Sequence, residues 1–120
     1  MPAGNDALKD RLSRYRGIKI TVTGRNSGRA ISIPVWFVLD HENLYLLPVQ
    51  GSDTQWYKNV LKTPSIRINV RGAEAEFNIV PITDSKQVSS IIEKFRAKYG
   101  ANDVKKYYSK LDVAVLARAR

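Results

Sequence analysis

The stretch TGRNSGRAISIPVWFVLDHENLYLL, residues 23–47, decides how the chain is read. Gly24 to Gly28 is turn chemistry, because Asn, Ser and Gly tolerate positive φ. Ala30 to Leu39 is rich in β-branched and aromatic residues and reads as a strand. Pro34 inside it lacks an N–H for a ladder, so an edge, a bulge or a bend is expected there. Asp40 to Asn43 is a hairpin turn, and Leu44 to Val49 a further strand. Upstream, Ile18 to Thr23 alternates apolar and polar residues and reads as the strand that enters this hairpin.

The same reading extends outward. Asn5 or Asp6 caps a short helix through about Arg16, with Leu8, Leu12 and Tyr15 on one face and Gly17 as its stop. After the loop Gln50 to Thr54, Ser52 or Asp53 caps a helix over Gln55 to Lys62 that halts before Pro64. Ser65 to Arg71 alternates cleanly, Gly72-Ala73 is a tight connection, and Glu74 to Pro81 is a fifth strand. Thr83, Asp84 or Ser85 caps a helix over Ser85 to Tyr99, with Val88, Ile91, Ile92 and Phe95 on one face and Gly100 as its stop. Asn102 or Asp103 caps a short helix to about Lys110, and Leu111 to Leu116 is a last strand. About six antiparallel strands with few helices make a small barrel rather than a parallel sheet.

Composition narrows the function classes. A chain of 120 residues suits one domain, here 1–120. It has no cysteine, which removes disulfides, thiolate metal sites and cysteine nucleophiles, and mildly favours a cytoplasmic setting. No apolar run reaches the ~18 residues of a membrane span. The N-terminus is too charged for a signal peptide. A peripheral membrane contact stays open. The net charge of +9 is concentrated at the two ends: residues 1–30 hold seven Lys/Arg against two acids, and residues 91–120 eight against three. Such a surface attracts an anionic cofactor, anionic lipid or nucleic acid.

Side-chain catalysis is poorly supplied. His41 is the single histidine and sits in a polar turn, so no metal site and no Ser-His-Asp triad is signalled. There is neither a Gly-Lys-Ser/Thr phosphate loop nor a GxGxxG fingerprint. An enzyme built this way relies on a cofactor for the hard chemistry.

Three segments carry the functional signal. Arg25, Asn26, Ser27, Gly28 and Arg29 combine a turn's exposed N–H groups with two guanidinium groups and a hydroxyl, which suits a phosphate. In Pro34-Val-Trp-Phe37, Pro34 and Trp36 share one strand face, the other belonging to Val35 and Phe37. In the third, Gln50 to Asn59, a polar loop leads into a helix N-terminus, and Trp56 and Asn59 lie three apart on one helix face.

Together these segments, with QWYKNVLKTPSIRI at residues 55–68, resemble the deazaflavin (coenzyme F-420)-dependent nitroreductase family. That family belongs to the flavin/deazaflavin split β-barrel superfamily with the pyridoxamine 5'-phosphate oxidase-like proteins. Gly24, Arg25, Ser27, Gly28, Pro34, Trp36, Trp56, Tyr57, Asn59 and Pro64 fall in register with its pattern. The resemblance spans residues 18 to about 80. It implies a mainly β fold, a split β-barrel of about six antiparallel strands with flanking helices. It also implies that Arg25 to Gly28 hold the cofactor's phosphate tail, with Arg29 as a compensating cation. Pro34 and Trp36 line the ring, and backbone groups of Val49, Gln50 and Gly51 meet its polar edge. Trp56 and Asn59 close the pocket, and Tyr107 and Tyr108 lie on the substrate side. Asn26, Ile31 and Gln50 stand where the family commonly has basic residues, which keeps FMN as the alternative cofactor.

The function expected is that of an oxidoreductase. A reduced deazaflavin, or FMN, would pass a hydride to a small acceptor such as a quinone or nitro compound. The alternatives are a non-catalytic flavin- or ligand-binding barrel and, lower, a nucleic-acid binder stacking bases on residues such as Tyr45. The superfamily includes dimers and monomers, so a homodimer stays open.

Overall fold

The computed structural model describes residues 10–41 and 43–119. Six strands close into an antiparallel barrel in the order β1-β2-β3-β6-β5-β4, with β4 paired back onto β1. The strands are β1 Gly17–Thr23, β2 Ala30–Asp40, β3 Asn43–Leu46, β4 Ser65–Val70, β5 Ala73–Ile82 and β6 Ala114–Ala119. The helices are α1 Gln55–Lys62, α2 Ser85–Tyr99 and α3 Ala101–Tyr107, with a 3-10 turn at Gly51–Asp53. The split-barrel fold expected from the sequence is the fold observed.

Alternation explains the closure. Ile18, Ile20 and Val22 of β1 and Ile66, Ile68 and Val70 of β4 point inward, and Phe37, Leu44, Leu46 and Val115 fill the centre with them. Each such fully buried side chain contributes roughly 1.5–3 kcal/mol. Trp56, Tyr57 and Val60 place α1 over one end of this core. β2 serves two cores at once. Val35 and Phe37 face the barrel, while Trp36 and Val38 face a second cluster under α2 and α3 that includes Val88, Ile91, Phe95, Tyr99 and Val104. Pro34 lies where β2 has a free edge. Its pairing with β1 runs from Ala30 to Trp36, whereas pairing with β3 starts only at Phe37.

Several boundaries differ from the sequence expectation. Gly17 opens β1 instead of ending a helix; residues 10–14 are helical, and the expected cap at Asn5 or Asp6 lies outside the described residues. β3 stops at Leu46, since the chain turns through Pro48 into the 3-10 turn. Thr54, not Ser52 or Asp53, caps α1, and its hydroxyl accepts the Gln50 N–H at 2.8 Å. Asp84 caps α2, as one of three candidates, through Gln87 N–H at 3.0 Å. α3 ends at Tyr107, and β6 starts only at Ala114. The intervening residues are pinned instead to the 49–53 loop: Lys110 bridges Gln50, and Asp112 takes the Ser52 N–H at 2.9 Å and its hydroxyl at 2.6 Å.

Candidate functional site

The turn between β1 and β2 is docked on α1. The Oδ1 of buried Asn59 accepts the Arg25 N–H at 3.1 Å and Arg25 Nη1 at 2.8 Å. Arg25 Nη2 donates to Gln55 Oε1 at 2.8 Å, and Lys62 Nζ donates to the Arg25 carbonyl at 2.9 Å. Every partner of the Arg25 guanidinium is therefore a neutral amide. Among the described residues no carboxylate contacts Arg25, Arg29 or Lys62. Ser27 Oγ accepts the Arg29 N–H at 3.2 Å, and Gly28 N–H closes the turn on the Gly24 carbonyl at 2.9 Å. Asn26 sits exposed at the tip. The turn is an ordered, cationic, uncompensated surface.

At the other end of exposed β2 lies a cleft of about 460 Å³, lined by Tyr15, Lys19, Pro34, Trp36, Arg71 and Tyr107 among others. It forms because β1 pairs with β2 on one side and β4 on the other, so that Lys19 lies between Pro34 and Asn69. The Trp36 indole is stacked on both faces, by Tyr99 at 4.2 Å and by Tyr107 at 4.3 Å between ring centres. Trp36 thus offers the cleft an edge, and the open flat surfaces belong to Pro34 and Tyr107. Tyr99 is itself anchored. Its hydroxyl accepts the Phe37 N–H at 3.2 Å and lies against the carbonyls of Phe37 and Arg16. The half-buried Lys98 donates to the Phe37 carbonyl at 2.8 Å, and burial pulls its amine down to about 8.

The structure brings Pro34, Trp36 and Tyr107 to one cleft and Arg25 to Arg29 with Asn59 to one turn. It sends the other candidates elsewhere. The Val49 carbonyl accepts the Ser109 N–H at 2.9 Å, the Gln50 N–H goes to Thr54, and the Gly51 N–H to Pro48. These backbone groups are spent within the loop. Trp56 is buried in the barrel core. Tyr108 is buried with Phe95 and Trp36 at its edges; burial pushes its phenol well above the usual range, and its hydroxyl has no partner. Tyr45, half-buried, lines a second groove beside α2. Tyr15, Lys19 and Arg71 join the cleft although no local motif marks them. Arg71 is distant along the chain from Tyr15 and Lys19, and the β1–β4 closure brings it to them. Among the described residues no helix is long and apolar enough to cross a membrane.

Comparison with known proteins agrees with the fold. The profile of the family described as "Uncharacterized protein conserved in bacteria (DUF2255)" matches residues 9–117. No curated protein matches the chain. Among solved structures, an F420-H2 dependent reductase (FDR-A) is similar at 15% identity and TM-score 0.66, covering 86% of this chain and 94% of that one. HutZ, the heme storage protein of Vibrio cholerae, is similar at 12% identity and TM-score 0.72, covering 96% and 89%. The conserved hypothetical protein Rv2991 of Mycobacterium tuberculosis is similar at 14% identity and TM-score 0.74, covering 100% and 81%.

Proposed function

The chain belongs to the DUF2255 family, and we propose that it is a split-barrel oxidoreductase that holds a deazaflavin, or alternatively FMN, on the outer surface of β2. One observation carries this reading. A single strand joins an aromatic cleft to a cluster of cations without carboxylate partners. Strand rise puts about 16 Å between Arg29 and Pro34. A ring at Pro34 and Tyr107 with an anionic tail running toward Arg29, Arg25 and Lys62 uses both ends. A long polyanionic tail suits that span better than a short ribityl phosphate, which favours the deazaflavin.

The donor set fits such a tail. Asn59 and Gln55 fix the guanidinium without neutralising it, so its charge is left for an external anion. The cofactor would supply a hydride to the acceptor. The chain's own part is to bind and orient, which for a bimolecular transfer is a large share of the barrier. Among the described cleft residues there is no His, Asp or Glu, so the proton-bearing groups at hand are the phenols of Tyr15 and Tyr107 and the cations Lys19 and Arg71. The lone histidine, His41, is exposed at the β2–β3 turn and does not line the cleft, so no imidazole stands there as an iron ligand.

The test is anaerobic reoxidation of reduced coenzyme F-420 by a quinone or nitroaromatic acceptor. Acceleration by the protein that saturates in both partners is expected. Tight cofactor binding without acceleration would instead support a non-catalytic carrier.

A further inference from the structure

The cleft has a wall that the ring-binding reading does not explain. Beside Pro34 and Tyr107 the cleft is lined by Lys19, the cross-strand neighbour of Pro34, and by Arg71. Arg71 and Gly72 form the two-residue loop between β4 and β5, with φ of 51° and 88°. Both positions of such a loop require left-handed backbone, where Asn-Gly or Asp-Gly is the favoured pair. An arginine there is strained, and a strained non-glycine residue points to a use for its side chain. Its guanidinium lies 4.7 Å over the Tyr15 ring, at the cleft, and no carboxylate among the described residues pairs with it. Lys19 is the second cation. Its cross-strand neighbours are Pro34 and Asn69, neither acidic, and it too has no ion-pair partner among the described residues. The Glu74 carboxylate lies one strand further on, beyond Asn69, and accepts from Asn69 Nδ2 at 3.0 Å. The cleft therefore sets two cations, without ion-pair partners among the described residues, beside its apolar and aromatic surface.

We propose that Lys19 and Arg71 are specificity residues that select, as the occupant of this cleft, a planar aromatic molecule carrying an anionic group at its edge. The ring packs on Pro34 and Tyr107, and the anion meets the Arg71 fork and the Lys19 ammonium. Tyr15 holds the guanidinium over its ring and so keeps it pointed at the cleft. The inference rests on the reading above for the position of the ring and does not depend on the redox chemistry.

The test compares two fluorescent probes that differ in one group: 8-anilinonaphthalene-1-sulfonate and the uncharged N-phenyl-1-naphthylamine. The protein should bind the sulfonate at least about tenfold more tightly, the effect of one charge-assisted contact. Arg71→Asn keeps the left-handed loop and removes the charge; Lys19→Gln removes the other. Each should weaken sulfonate binding by roughly three- to tenfold and leave the naphthylamine unchanged. Lys86→Gln, an exposed cation outside the cleft, should change neither. Equal affinity for the two probes, or a Lys86→Gln effect as large as that of Arg71→Asn, would overturn the proposal. Displacement of the sulfonate by F-420 or FMN assigns the anion to the cofactor's ring edge; retention assigns it to the second molecule. Both outcomes support the wall. Failure of every cofactor to bind a protein that still discriminates the probes removes the cofactor reading alone.

Discussion

A single oxygen, Oδ1 of Asn59, takes both the main-chain N–H and a guanidinium N–H of Arg25, at 3.1 and 2.8 Å. This contact docks the β1–β2 turn on α1 and aims an arginine without cancelling its charge. Removing the acceptor and changing its charge should therefore give different results. Asn59→Leu leaves the Arg25 N–H unpaired and Nη1 with only its 3.4 Å contact to the Gln55 carbonyl, and should cost about 2 kcal/mol in chemical denaturation. Asn59→Asp keeps the contacts but neutralises the cation. Its stability should stay near wild type, while affinity for an anionic tail falls about tenfold in a calorimetric titration.

The loop before α1 is predicted to matter for folding rather than for ligand contact. Gly51 has φ of 55°, and an added Cβ would lie 2.0 Å from Asp112 Oδ1, the atom that accepts the Ser52 N–H. Gly51→Ala should lower stability by more than about 2 kcal/mol, because backbone strain adds to a broken link. A thermal melt measures it.

Tyr108 offers the opposite sign. Its hydroxyl is buried without a partner, and an unsatisfied buried polar group costs about 1–3 kcal/mol. Tyr108→Phe keeps the edge contacts to Phe95 and Trp36. It should unfold at a higher temperature than wild type, with cofactor and probe binding unchanged.

Lys98 gives a pH signature. Its amine is pulled down to about 8 by burial, below its value in the unfolded chain. Below pH 8 both states hold the proton, and the penalty for charging the half-buried group is fully present. Between pH 8 and the unfolded value the folded state has released the proton and the unfolded state has not, so stability rises with pH. Denaturation at pH 7 and pH 9 should show a rise that Lys98→Met lacks, and Lys98→Met should be the more stable protein at pH 7.

Much of the barrel is legible in residues 17–82, because half-buried strands alternate and their turns use Asn, Gly and Pro. The spacing of Ile18, Ile20 and Val22 by itself marks the inward face of β1. The strand ends are less legible. Pro48 ends β3 early, and residues 109–112 are held in a loop by Ser52 and Gln50, partners about 60 positions away. No local pattern encodes that link. The candidate site divides in the same way. Pro34 and Trp36 come from one local motif and share a strand face, whereas Arg25 of the β1–β2 turn and Asn59 of α1 come from two separate motifs that the fold joins across 34 positions. Arg71 meets Tyr15 and Lys19 only because β4 closes on β1, a non-local pairing. A trace of them exists: arginine at the first position of a two-residue hairpin, where Asn or Asp is the ordinary choice.

The central claim is that a ring cofactor sits between Pro34 and Tyr107. The most direct measurement is a titration of the purified protein with coenzyme F-420, FMN and FAD, followed by ring fluorescence, for wild type and Tyr107→Ala. Tyr107 is 38% exposed and belongs to neither core, but it stacks on Trp36, so a thermal melt checks that Tyr107→Ala is folded before binding is compared. Saturable binding of at least one cofactor, weakened about tenfold or more in Tyr107→Ala, is the predicted result. No saturable binding of any of the three, or binding that Tyr107→Ala leaves unchanged, would contradict it.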